Sequence, residues 1–173
     1  GKLPLTVPRS VGQLQMVYNH KPSQYFHKYA FEKISPLYPF GYGLSYTTFE
    51  IGKPLASEKN WDGTGKLTIN VEVENSGDRK GTEVAQLYIR DNYSSVTRPV
   101  LELKGYQRVT LKPSEKKTLT FELDNKAFAF YDKEMKYVSE EGDFTILIGN
   151  SSSKKQLKET TIRLTQDLYH DEN

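Results

Sequence analysis

The stretch LTINVEVE, residues 67–74, alternates apolar with polar residues along its whole length. A strand turns successive side chains to opposite faces of its sheet, so this period of two predicts a strand with one buried face and one solvated face. The same alternation returns around residues 85–89, 103–111, 119–123, 144–148 and 161–164. Because a slip of one residue would expose the apolar set, each buried face also fixes the register of its strand.

Turn-forming segments separate these strands. The alternation is interrupted by NSGDRKG (75–81), KPSE (112–115) and NSSSKK (150–155), and FAFYDKEMKYV (128–138) predicts a hairpin that turns near residues 132–134. Residues 44–51 are rich in β-branched and aromatic side chains and predict a first strand. Only LDNKAFAF (123–130) suggests a short helical turn. About seven strands with turns between them predict an all-β chain folded as a β-sandwich.

Two segments precede the first strand. In residues 1–35, which we call the arm, KLPLTVP alternates like a strand, but Pro4 and Pro8 confine it to an edge or a bulge. Residues 36–43, which we call the linker, hold two prolines and two glycines and therefore cannot form a helix. The rings of the linker and of the residues after it are expected to lie on a surface. They belong to Tyr38, Phe40, Tyr42 and Tyr46.

Composition excludes several classes of site and partner. The chain has 173 residues and no cysteine, which excludes disulfides, zinc–thiolate sites and thiol nucleophiles. Its net charge of +2 is spread among interspersed acids and bases, without the basic footprint of a nucleic-acid binder. No apolar run approaches the length of a membrane span. The chain starts at Gly1 directly in strand-like sequence, from which we expect a piece of a longer protein, with the arm as the end of another domain.

Five segments, taken in order, resemble the C-terminal region of the glycoside hydrolase family 3 enzymes, which are β-glucosidases and β-xylosidases. They are GKLPLTVPRSVGQLQMVYNHKPS, PLYPFGYGLSYTTFEI, VEVENSGDRKGTEVAQLYIRD, SSVTRPVLELKGYQRVTLKPSEKKTLTFEL and AFYDKEMKYVSEEGDFTILIGNSS. The resemblance implies that residues 1–35 end an α/β sandwich domain, residues 36–43 link domains, and residues 44–173 form an immunoglobulin-like, fibronectin type III-like sandwich. The rings of Tyr38, Phe40, Tyr42 and Tyr46 would then pack between domains, since aromatic side chains bury a large area at little entropic cost.

The resemblance also implies the chain's role and partners. Upstream barrel and α/β domains of the same polypeptide would carry catalysis, and this chain would be a non-catalytic module that stabilises them, with a periplasmic or secreted parent. An autonomous carbohydrate-binding module and a fibronectin-type adhesion or assembly module remain as alternatives. We also expect that the arm, separated from its sheet, docks on the sandwich or pairs with a second copy, because an exposed strand edge seeks a partner.

A retaining glycosidase needs two carboxyl groups about 5–5.5 Å apart, one of them with a raised pKa. The family's nucleophile and acid/base lie upstream, and we predict no catalytic residue here. Glu72 and Glu74 have a suitable spacing but belong to a solvated face of a strand. The cluster of Glu140, Glu141 and Asp143 suggests weak cation binding at most.

The remaining candidates have ordinary explanations. His20, His27 and His170 share no metal-ligand spacing, and the serines near residues 94 and 151–153 lack the setting of a nucleophile. We predict no metal and no cofactor. Exposed aromatic residues could stack on sugars, and six are candidates for this alternative: Trp61, Tyr88, Tyr93, Tyr106, Tyr131 and Tyr137.

Overall fold

The computed structural model describes residues 1–13, 16–22 and 33–171. In chain order its strands are β1 (Phe49–Ile51), β2 (Leu55–Ala56), β3 (Asn60–Trp61), β4 (Leu67–Asn75), β5 (Gly81–Asp91), β6 (Glu102–Leu111), β7 (Lys116–Leu123), β8 (Phe130–Tyr131), β9 (Tyr137–Ser139), β10 (Gly142–Gly149), β11 (Lys158–Leu164) and β12 (Leu168–Tyr169). Short 3-10 helices occupy Val11–Gln13 and Asn125–Phe128. None of the helices in these described ranges could cross a membrane.

Two sheets face each other. In the first sheet, β4 pairs along its length with β7, and β1 and β2 pair with different parts of its other edge. The second sheet has the order β3–β11–β10–β5–β6. A third, small antiparallel sheet joins β12, β9 and β8. The predicted all-β sandwich, of immunoglobulin and fibronectin type III-like form with about seven main strands, is confirmed.

The core lies between the two large sheets and is built from the alternating positions of the sequence. Leu67, Ile69, Val71 and Val73 of β4 are all buried and meet the inward residues of β5, β7 and β10. The ring of Phe128 packs between two other buried rings, 5.6 Å from Trp61 and 5.0 Å from Phe144. Burial of this continuous apolar set supplies the main driving force for folding.

One prediction about the ends of the fold is corrected. The first strand begins at Phe49 and not at Leu44, because β1 pairs only with the last residues of β4, and Leu44 and Tyr46 lie exposed before it. The arm's KLPLTVP segment pairs with the linker, through a bridge between Val7 and Tyr38. The predicted helical turn after residue 123 is present and is capped by the carboxylate of Asp124, which accepts from the Ala127 amide.

Candidate interdomain surface

The outer face of β5 is buried, although its alternation predicts that residues 86 and 88 face solvent. Gln86 donates from Nε2 to the carbonyls of Gly41 (3.2 Å) and Asn150 (3.0 Å), and the Tyr88 hydroxyl donates to Gln86 Oε1. Tyr88 is fully buried, and this burial raises the pKa of its hydroxyl. The cover consists of the arm, the linker and the turn that follows β10.

The linker approaches β5 so closely that one position must be glycine. Gly41 has a φ of 77°, a region that side chains disfavour. A Cβ at this position would lie 2.0 Å from Gln86 Oε1. Any larger residue would therefore push the linker away from the sheet and break the Gln86 hydrogen bond.

The arm lies along the linker as an antiparallel partner. The Leu3 amide donates to Tyr42 O and the Gly41 amide donates to Leu3 O, both at 2.8 Å. At its start the arm is held by Lys2, whose Nζ lies 2.6 Å from the carboxylate of Glu83 on β5. Both side chains are largely shielded from water, so this ion pair is screened less than a surface pair.

Aromatic contacts fix the inner side of the same layer. The ring of Tyr18 in the arm stacks on Phe40 of the linker at 4.3 Å and meets Tyr88 edge-on at 6.0 Å. The Phe40 carbonyl accepts a hydrogen bond from the Ser152 amide at 2.9 Å. Phe40 therefore packs within this chain, and Tyr42 lies partly covered, 5.0 Å from the ring of Tyr38.

The arm, the linker and the residues just after the linker carry many exposed apolar side chains. The described residues include fourteen exposed large apolar side chains, and eight of these belong to residues 1–46. Residues 1–46 supply only about a fifth of all the described residues. The eight are Leu5, Val11, Val17, Ile34, Leu37, Tyr38, Leu44 and Tyr46. Tyr46 is 94% exposed. We call these eight side chains the apolar surface, and such a concentration is typical of an interaction site.

A buried ionic cluster, which the sequence patterns did not reveal, closes the loop between β5 and β6. Arg98 donates from Nη1 to Asp91 Oδ2 (3.3 Å) and to the Phe128 carbonyl (2.8 Å), and from Nη2 to Glu102. Its guanidinium also lies 4.5 Å from the centre of the Phe130 ring. The only local signal was the i, i+4 spacing of Arg98 and Glu102, which normally indicates a helix.

Asp91 is shielded more completely than any other carboxylate in the described ion pairs. Burial raises its pKa to about 6, although the Arg98 guanidinium and the Tyr93 amide act in the opposite direction. Asp91 and Glu102 both bind the same arginine, whose guanidinium lies between the two carboxylates.

The carboxylates singled out from the sequence are exposed and paired with bases. Lys116 lies between Glu72 (3.3 Å) and Glu74 (3.0 Å), and hydrogen bonds to both raise its own pKa. A general acid has its pKa raised by an apolar pocket, whereas these two carboxylates are hydrated and neutralised by a lysine.

Arg163 takes the place of a cation in the other acidic cluster, 2.7 Å from Glu141 and 3.4 Å from Asp143. Glu140 instead accepts from the Ser95 amide. Within the described residues, no three His, Cys, Asp or Glu side chains are grouped so that they could hold a metal ion.

The histidines and the aromatic candidates are scattered. His20 is buried, with Nδ1 2.8 Å from the Lys21 carbonyl, and burial lowers its pKa. His170 contacts Ser139, and His27 lies outside the described residues.

Two sugar-stacking candidates are wrong: Trp61 and Tyr88 are fully buried, one in the core and the other under the arm. The remaining four tyrosines are exposed or half-buried.

Comparison with known proteins identifies one domain and a consistent set of relatives. The family model of the fibronectin type III-like domain matches residues 83–152. The chain is 44% identical to the periplasmic β-glucosidase of Salmonella typhimurium, over 89% of this chain and 21% of that protein. It is 43% identical to a β-xylosidase of Formosa agariphila, over 95% of this chain and 23% of that protein.

Solved structures agree with these relatives. A β-glucosidase from Erythrobacter marinus matches 94% of this chain and 21% of its own, with a TM-score of 0.89 and 44% identity. A β-glucosidase from Listeria innocua, in complex with glucose, matches 95% of this chain and 24% of its own, with a TM-score of 0.86 and 35% identity. The chain thus spans about a fifth of the length of its relatives. The chain corresponds to the C-terminal region of these β-glucosidases and β-xylosidases of glycoside hydrolase family 3, and it contains a fibronectin type III-like domain.

Proposed function

We propose that the chain is the non-catalytic C-terminal module of a retaining β-glycosidase that hydrolyses terminal β-glucosides or β-xylosides. Its role is to stabilise the upstream barrel and α/β domains of the same polypeptide. The observation that carries this proposal is the apolar surface, which gathers more than half of the exposed large apolar side chains on residues 1–46. Burial of exposed apolar area against another surface is favourable, and a concentration of such area marks an interaction site.

The two sides of the arm and linker support this role. The inner side is bound to β5 through Lys2 and Gly41 and to the turn after β10 through Phe40, so it holds the outer side in a fixed orientation. A surface held in this way can pack on a neighbouring domain without losing much further entropy, which favours a rigid interdomain contact. In this proposal residues 1–35 end the α/β domain, residues 36–43 are the linker, and residues 44–173 are the sandwich. Tyr38 and Tyr46 make the contact, while Phe40 and Tyr42 support it.

The relatives support a sugar-processing parent and an extracytoplasmic location. The Salmonella typhimurium protein is named a periplasmic β-glucosidase, and we propose a periplasmic or secreted location for the parent of this chain. When the upstream domains are absent, we propose that the apolar surface pairs with a second copy of the chain.

The test mixes this chain with its separately expressed upstream domains and measures their melting temperature, since a partner that binds only the folded state raises it. We expect the melting temperature to rise, and Tyr46→Ser to reduce the rise. Tyr106→Ser is the matched control, because Tyr106 is also well exposed but lies on β6, outside the apolar surface. No association, or equal losses for both variants, would contradict the proposal. The chain alone should not hydrolyse an aryl β-glucoside, and robust turnover would also contradict it.

A further inference from the structure

The small sheet of β8, β9 and β12 forms a shallow cleft on a part of the molecule that the proposed function does not use. The cleft has a volume of about 440 Å³ and is lined by Met135, Lys136, Tyr137, Tyr169, His170 and Asp171. It opens to solvent between the hairpin of β8 and β9 and the end of the chain's described part.

The cleft contains a row of aromatic rings. The ring of Tyr137 lies 5.0 Å from Tyr131 on one side and 5.5 Å from His170 on the other. Tyr169 pairs with Val138 and so lies on the other face of this sheet, 66% exposed, with Lys136 Nζ 5.8 Å from its ring centre; it lines the same cleft at the sheet edge. Three rings in contact and the separate ring of Tyr169 give this sheet of only seven residues more aromatic side chains than its packing requires, and two of them, Tyr131 and Tyr169, are exposed.

Hydrogen-bonding groups of both kinds surround the rings. The Ser139 hydroxyl donates its one proton to the Asn125 carbonyl at 2.8 Å. Ser139 Oγ also lies 2.9 Å from His170 Nε2 and can only accept there, so Nε2 carries a proton. His170 Nδ1 is then an acceptor. Burial and Lys126 lower the pKa of His170, which keeps the ring uncharged at neutral pH. Lys136 supplies donors and Asp171 supplies acceptors at the rim.

We propose that this aromatic cleft binds a pyranose unit of an oligosaccharide. A pyranose presents an apolar C–H face that can stack on Tyr169 and hydroxyl groups that both donate and accept hydrogen bonds. The cleft offers the same combination, whereas an anionic ligand would meet the carboxylate of Asp171 and a lipid would meet polar groups on both sides. This site is separate from the apolar surface, so it does not depend on the proposed packing of domains.

The two methionines of the chain provide an internal reference for the test. Met135 lines the cleft and is exposed, whereas Met16 lies in the arm. The chain labelled with ¹³C at its methionine methyl groups is titrated with cellotetraose and with xylotetraose, up to tens of millimolar, and followed by NMR. We expect a saturable shift of the Met135 signal and none of the Met16 signal. Tryptophan fluorescence is unsuitable, because Trp61 is buried in the core.

Variants locate the binding. Tyr169→Ala should weaken the binding by about tenfold, since it removes a stacking ring. Tyr106→Ala, a tyrosine with similar exposure on β6, should leave the affinity unchanged. An unchanged Met135 signal with both sugars, a shift shared with Met16, or equal affinity in the Tyr169→Ala variant would overturn the proposal.

Discussion

Arg98 is the side chain whose removal tests the energetics of this fold most directly. Its guanidinium is 5% exposed and binds Asp91, Glu102 and the Phe128 carbonyl. Arg98→Met keeps an unbranched apolar stem but leaves the Asp91 carboxylate buried without its cation. Breaking a buried ion pair from one side costs about 3–5 kcal/mol, a large share of a typical stability of about 5–15 kcal/mol.

Arg163→Met is the matched control. Arg163 also binds two carboxylates, those of Glu141 and Asp143, but it is 48% exposed. Exposed ion pairs contribute about 1 kcal/mol or less. Urea unfolding at neutral pH should therefore separate the two variants by several kcal/mol.

The loss in Arg98→Met should also depend on pH. In the wild-type chain the pKa of Asp91 is about 6, so at about pH 4.5 Asp91 is largely protonated and Arg98 no longer has a buried anion beside it. The destabilisation should be smaller at that pH. Toward neutral pH the destabilisation should increase, because the loss of Arg98 raises the pKa of Asp91. Each unit of that rise adds about 1.4 kcal/mol to the destabilisation. Equal losses in the two arginine variants, or a loss independent of pH, would refute this reasoning.

Three further substitutions test other parts of the fold. Asn75 is fully buried, and its side chain donates to the Arg79 and Leu111 carbonyls and accepts from Thr47 and Gly77. Asn75→Ala should therefore lower the free energy of unfolding, measured in urea, by about 3 kcal/mol. A loss below about 1 kcal/mol would contradict this role. The folded-state pKa of Asp91 lies above its unfolded value of 3.8, so its contribution to stability is present below about pH 4 and is lost as the pH rises through about 6. Asp91→Asn should remove that part of the pH dependence, and a pH profile identical to that of the wild type would be inconsistent with it. Val71→Asp would place an unpaired charge in the core and should prevent folding, and an unchanged melting curve would show that the core assignment is wrong.

The strands of the sandwich could be predicted because their information is local. In β4 the four apolar residues enter the core and the polar residues that alternate with them, from Thr68 to Glu74, are half-buried or exposed, so a period of two is sufficient to find both the strand and its buried face. The same alternation of burial holds for the second half of β7 and for residues 144–148 of β10. The turn before β5 was equally clear, because Asn75 to Gly81 contains the residues that favour turns.

The buried contacts of Gln86, Trp61 and Arg98 could not be predicted from such patterns because they depend on residues distant in sequence. Gln86 and Tyr88 alternate with core residues and would face solvent in a two-layer sandwich, but the linker and arm cover them. Trp61 lies among glycine and aspartate residues that indicate a loop, yet a two-residue parallel pairing with β11 carries it into the core. The Arg98 cluster likewise joins β5, a loop and the 3-10 helix before β8, which no single window of the sequence contains.

These long-range contacts change how the arm and linker relate to the sandwich. Residues 85–89 of β5 are buried on both faces, one by the core and the other by Gly41, Phe40 and Tyr18, so the arm and linker form a third layer over the second sheet. A strand covered on both faces tolerates polar residues only if they find partners, and Gln86 has its partners in the linker and in the turn after β10. The inner contacts of this layer are thus part of the fold, whereas its most exposed apolar side chains, such as Leu44 and Tyr46, add little to the stability of the isolated chain. This separation of two sets of residues within one short segment supports the proposed connection to a neighbouring domain, in which one face binds its own module and the other face binds the next.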